Sequence, residues 1–138
     1  MSSPQDPNVA IIEEFRVNAG RVGGDFEGAP LLLLHSTGAR TGQERVNPVM
    51  YRRVGETYAV FGSKAGAPTN PDWYHNVRAH PQVTIEVGGD TVQATARVAE
   101  GEERSRIWEE QKAEFPLFAV YDRGTTREIP VVILHPEA

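Results

Sequence analysis

The sequence predicts a mostly β, α+β domain: a barrel of about six mostly antiparallel strands with about three helices packed around it. Three observations point there. Alternating apolar and polar segments flank the tight turns Val54-Gly55-Glu56 and Gly88-Gly89-Asp90, which is hairpin chemistry. Strand-like segments do not alternate with helical ones, as a doubly wound parallel sheet requires. A chain of 138 residues is one domain by length, and closing its sheet removes exposed edges.

The elements follow in order. Asp6 as cap and Pro7 at the first helical position open a helix whose Val9, Ile12, Phe15 and Ala19 share one face, and Gly20 ends it. Residues 1–8 are expected to be flexible ahead of the packed domain, which spans 1–138. Residues 31–36 form a continuous apolar run with the look of a central strand. Strands over 45–53 and 57–62 make the first hairpin. Asn70-Pro71-Asp72 reads as cap then proline, opening a helix that places Trp73 and Val77 on one face, and Pro81 stops it. Strands over 83–87 and 91–99 make the second hairpin. A third helix over 102–114 turns Ile107 and Trp108 inward until Pro116 breaks it, and 129–134 is the last strand.

Composition narrows the function. The chain has no cysteine, which removes zinc–thiolate sites, iron–sulfur clusters, thiol nucleophiles and disulfides together. A reducing, cytoplasmic setting fits that, as does a start without the basic and apolar regions of a secretory signal. The net charge of −5 argues against nucleic acid as a partner. Yet Arg40, Arg45, Arg52, Arg53 and Lys64 fall in one short stretch. A basic patch on an acidic chain suits a small anionic ligand; a solvated strand face is the plain alternative.

Familiar motifs fail. Gly38-Ala-Arg-Thr-Gly42 lacks the Lys-Ser/Thr ending of a P-loop, and no G-x-G-x-x-G follows a strand. His35, His75, His80 and His135 lack metal-ligand spacing, so no metal is expected. Ser63, Asp72 and His75 are triad residue types without a nucleophile elbow.

Two segments remain that a bare barrel does not need. Residues 37–48 combine Gly38 and Gly42, which let backbone N–H groups approach a ligand, with the planar donor forks of Arg40 and Arg45 and the strand-breaking pair Asn47-Pro48. Pro48 cannot donate to a ladder, so it marks an edge or the lip of a site. Residues 61–76 end a strand in a small-residue loop carrying Ser63 and Lys64, then open a helix whose start favours anions.

Thr37-Gly-Ala-Arg-Thr-Gly-Gln-Glu-Arg-Val-Asn-Pro, Ser63-Lys-Ala-Gly-Ala-Pro-Thr-Asn-Pro-Asp-Trp-Tyr-His-Asn and the closing Thr126-Arg-Glu-Ile-Pro-Val-Val resemble the deazaflavin-dependent nitroreductases, the quinone reductases that use reduced coenzyme F420. The likeness runs from about Arg21 to Val132. It implies a split β-barrel of the FMN-binding type, with F420 in a groove and a quinone, nitroaromatic or enone acceptor stacked on its ring. Carried over, it places Ala39, Arg40, Thr41 and Arg45 at the anionic phosphate–glutamate tail and runs Val46, Asn47, Pro48, Val49 and Met50 beside the cofactor. Phe61, Gly62, Ser63 and Lys64 would contact the deazaflavin and tail, and Asp72, Trp73, Tyr74, His75 and Asn76 would add further contacts. Ser63 would bond the ring edge, Phe118 would cover the acceptor, and Tyr121 or water would supply the proton that follows a hydride.

One departure stands out. Nitroreductase-type members carry tyrosines where this chain has Phe115-Pro-Leu-Phe118-Ala-Val-Tyr121. Phenylalanine stacks but donates no hydrogen bond, so Phe115 and Phe118 read as core or pocket wall. F420 binding therefore transfers better than nitroreduction. An FMN reductase on the same fold ranks lower, because the basic loops suit a longer anionic tail. A non-catalytic carrier of F420 or a small hydrophobe is the alternative from another class, and a cofactor-free interaction domain fits the loops worst. Quinones live in membranes, which leaves peripheral contact with the inner membrane face open. Oligomeric state is not legible.

Overall fold

The computed structural model describes residues 7–23 and 30–137. The expected Asp6 cap lies outside them, as does most of the flexible start expected over 1–8. The chain runs α1 (Pro7–Val17), β1 (Leu31–Thr37), β2 (Glu44–Val54), β3 (Thr57–Phe61), α2 (Asp72–Ala79), β4 (Gln82–Val87), β5 (Asp90–Val98), α3 (Gly101–Glu114), α4 (Pro116–Arg123) and β6 (Val131–Pro136). The strands close into an antiparallel barrel in the order β1-β2-β3-β6-β5-β4. No described helix is long and apolar enough to cross a membrane.

Period-2 alternation decides which side chain goes where. Leu32 and Leu34 of β1 enter the barrel core with Val60, Ile85, Val132 and Leu134, and Trp73 and Val77 of α2 join that cluster. Leu31 and Leu33 point the other way, onto Phe15 and Val22. That double burial is why β1 reads as unbroken leucine. Likewise Ala59 and Phe61 of β3 and Val131 and Ile133 of β6 turn outward onto Ile107, Trp108 and Phe118. Each fully buried side chain of this size contributes about 1.5–3 kcal/mol, so both helical layers are packed against the barrel by substantial apolar burial.

Four readings need correction. The buried stripe of α1 is Phe15 with the partly buried Ile11 and Ile12, while Val9 is half exposed and Ala19 is exposed. Helix α2 takes Pro71, not Asn70, as its N-cap, without a side-chain capping bond. Pro116 ends α3 but also occupies the first turn of α4, a fourth helix, since a proline costs nothing where the N–H is unpaired anyway. The last strand is displaced by two residues to Val131–Pro136, although Ile129 is fully buried.

One feature of the ladder positions the site. Residues 44–50 of β2 pair only with β1, and residues 51–54 pair with β3. β3 is five residues long against eleven for β2. Pro48 faces Leu33 across the β1 ladder within the half of β2 that has no partner on its other side among the described residues. The expected edge is therefore a gap in an otherwise closed barrel.

Candidate functional site

The loop between β1 and β2 is shaped by its glycines. Gly42 sits at φ +72°, and its N–H donates to the Gly38 carbonyl at 2.9 Å. A Cβ on Gly38 would lie 2.7 Å from Thr41 Oγ1 and 3.2 Å from the Gln43 carbonyl, so a side chain there would have to turn Thr41 aside and crowd the loop backbone. Asn76 fastens this loop to α2: its Oδ1 accepts from the Ala39 N–H at 3.0 Å and its Nδ2 donates to Ser36 Oγ at 3.3 Å. Asn76 and Ser36 are both buried, which makes the bonds costly to leave unmade.

A cavity of about 1020 Å³ opens beside this loop. Ala39, Arg40, Thr41, Arg45, Val46 and Asn47 line one side, and Asp72, His75 and Asn76 line the other. Arg40 and Arg45 are exposed and enter no ion pair among the described residues. Glu44 also faces the cavity, but its carboxylate lies 3.3 Å from His35 Nδ1. His35 Nε2 and Arg16 both reach Glu86. The Arg16 guanidinium holds the Glu86 carboxyl below the usual carboxylate range, against the opposing effect of burial, and His35 adds to the lowering.

Farther along β2 and α2 the lining changes character. Pro48, Val49, Met50, Phe61, Ser63, Lys64, Trp73, Phe118 and Tyr121 enclose a second cavity of about 270 Å³. Consecutive residues join the two: Asn47 lines the large cavity and Pro48 the small one, Asp72 the large and Trp73 the small. Three of these lining residues form an aromatic group, with Phe118 5.7 Å from Phe61 and 5.5 Å from Tyr121, ring centre to ring centre.

The structure thus brings together nearly every residue singled out from the sequence. Gly62 and Tyr74 are the exceptions. Gly62 is buried against Pro130, and Tyr74 packs edge-on to His75 under Arg78. Of the basic stretch, Arg52 leaves to pair with Glu114 and Arg53 lies 4.4 Å over the Tyr58 ring. Phe115 packs in the α3–α4 cluster, as its core reading anticipates.

Arg127 is what sequence reasoning missed. Its guanidinium donates to the carbonyls of Gly62, Ser63 and Ala67 at 3.0, 2.8 and 2.9 Å and to Asn70 Oδ1 at 2.7 Å. Burial pushes its pKa down from the ordinary arginine value. It belongs to the Thr126–Val132 motif quoted above, but nothing in spacing says that its partners lie some sixty residues earlier.

A family model described as F420H(2)-dependent quinone reductase matches residues 9–136. An F420H(2)-dependent quinone reductase of Mycobacterium tuberculosis is 40% identical over 126 residues, covering 87% of this chain and 83% of its own. Among solved structures, an F420-H2 dependent reductase is 39% identical with a TM-score of 0.70, over 77% of this chain and 94% of that one. Another, described as a domain-swapped dimer, is 35% identical with a TM-score of 0.73, over 96% and 100%.

Proposed function

The chain belongs to the F420H(2)-dependent quinone reductase family, an oxidoreductase class, and from that premise we propose how its two cavities divide the work on coenzyme F420 and a quinone. The observation that carries the reading is the junction, along single elements, of a polar cavity bearing Arg40 and Arg45 with an aromatic one. A cofactor with a long anionic tail and a planar ring needs both chemistries in that order. Arg40 and Arg45 hold the tail by charge and planar donor forks. The Ala39 N–H is already engaged by Asn76, so Asn76 serves by fixing the loop.

Ser63 and Lys64 hold the ring edge, Trp73 and Met50 form its walls, and Phe118 covers the acceptor. Bound there, reduced F420 supplies a hydride to the acceptor carbonyl system. The chain orients the ring, excludes water through the Phe61–Trp108–Phe118 group, and offers a phenol at Tyr121 as proton donor. Quinones are the primary acceptors. Planar nitroaromatics and enones fit the same ring cavity and are the finer part of the proposal.

The test is a fluorescence titration with F420 and, separately, FMN, on the wild type and the Arg40→Ala/Arg45→Ala variant, followed by oxidation of reduced F420 with menadione. Saturable F420 binding that weakens in the variant, with turnover, supports the reading. Tight binding without turnover would make the protein a carrier. An FMN preference indifferent to both arginines would sink the assignment of the tail site.

A further inference from the structure

Resting on the role given to Ser63 and Lys64 above, we propose that Arg127 is the positioning residue that sets how both face the ring cavity. Lys64 has φ +47°, in the left-handed region that side-chain-bearing residues occupy only when their surroundings hold them there. The four Arg127 bonds fall on both sides of that turn, on Gly62, Ser63, Ala67 and Asn70. In a planar trans peptide the N–H points opposite the carbonyl. Drawing the Gly62 and Ser63 carbonyls onto Arg127 therefore turns the N–H groups of Ser63 and Lys64 away from it. The same clamp fixes where the two side chains leave the backbone. Lysine has no fork able to reach acceptors so distributed.

The connecting segment that carries Arg127 has a second anchor, which serves as a control. Arg104 donates to the Ile129 carbonyl and lies 3.2 Å from Glu128, but bonds to none of residues 62–70 among the described residues. A generic role in holding this segment would be shared by both arginines. A positioning role belongs to Arg127 alone.

The experiment compares Arg127→Gln, Arg127→Lys and Arg104→Gln in two readouts. Without cofactor, amide hydrogen exchange follows Gly66 and Ala67, whose N–H groups bond to the Ser63 and Lys64 carbonyls at 2.9 and 3.0 Å. Exchange there is expected to rise in both Arg127 variants and to stay at the wild-type rate in Arg104→Gln. With cofactor, binding is measured for F420 and for the deazaflavin ring without its phosphate tail. Loss of charge-assisted bonds predicts a fall of roughly ten-fold or more for both probes in the Arg127 variants alone. Unchanged ring binding in a folded Arg127 variant, or an equal loss in Arg104→Gln, overturns the proposal. Should the wild type bind no F420, the cofactor reading falls, and the exchange comparison still upholds or overturns the clamp.

Discussion

Gly62 offers a test in which two opposing effects can be weighed. A Cβ added there would lie 2.7 Å from Pro130 Cγ and 3.2 Å from Cδ, with Pro71 Cδ at 3.5 Å. Proline rings cannot swing aside, so the crossing chains must separate by roughly 1 Å to restore ordinary carbon contact. They are also tied together, since the Gly62 N–H donates to the Pro130 carbonyl at 2.9 Å. Overpacking of this kind costs about 1–3 kcal/mol. Against it, Gly62→Ala restricts the unfolded chain and returns about 0.4–1 kcal/mol, because Gly62 is not among the positive-φ glycines. At the middle of each range the steric effect wins, leaving a net loss of about 1.3 kcal/mol, or roughly 4–7 °C in Tm for a chain of this length. Gly89→Ala is the control: a Cβ there meets nothing within 4 Å, so stability is expected to hold or to rise by up to about 1 kcal/mol. Urea and thermal unfolding of the three proteins decide it. A Gly62→Ala protein as stable as wild type, or a Gly89→Ala protein as damaged, would show that the Pro130 contact does not govern this crossing.

Further predictions follow from named contacts. Arg40→Ala/Arg45→Ala is expected to weaken F420 binding by about ten-fold or more, most at low salt, while Tm stays within about 2 °C, since both side chains are exposed. The lowered Glu86 carboxyl stabilises the fold fully above its ordinary value of 4.5 and loses that effect as pH falls through the lowered one. The stability gap between wild type and Glu86→Gln should accordingly be open near neutrality and closed in strong acid; urea unfolding at both pH values would expose an unchanging gap. Gln111 is fully buried, and neither polar atom of its amide has a hydrogen-bond partner among the described residues. Gln111→Met should raise stability by about 1–3 kcal/mol in denaturant unfolding. Asn76→Ala removes the acceptor of the Ala39 N–H and should cost about 1–3 kcal/mol with a parallel loss of F420 affinity, measured by unfolding and titration.

The parts of the molecule legible in the sequence are those written in local chemistry. Hairpin turns, the doubly buried β1 and the inward pair Ile107 and Trp108 follow from period and turn residues, and the structure contains them. The two loops were legible because glycine, arginine and proline each restrict the backbone or carry charge at fixed offsets. Helix α4 was not, because Pro116 signals both a stop and a start and local pattern cannot say which. The face of α1 was misjudged at Val9 because its packing is decided by Leu31 and Leu33, which lie beyond the helix, and at Ala19 because the helix ends at Val17 and Ala19 falls in the turn after it, at φ +53°. Arg127 escaped notice for the same reason: its four acceptors are three backbone carbonyls and one amide, and a carbonyl looks alike on every residue.

β2 has a consequence for which molecules the chain admits. Arg45 lines the large cavity and Met50 the small one, and five residues of extended chain measure about 17 Å. On the cofactor reading proposed above, the strand would act as a ruler, grading ligands by the distance between a charged group and a ring. Adding or deleting one residue between those marks would change the spacing by about 3.4 Å and reverse the faces of everything beyond it. The turn over 38–43 lies outside the ladder, so length changes there would alter what is grasped without rephasing the strand. Selectivity of this kind resides in a spacing, and single side-chain exchanges along β2 would adjust it only by degrees.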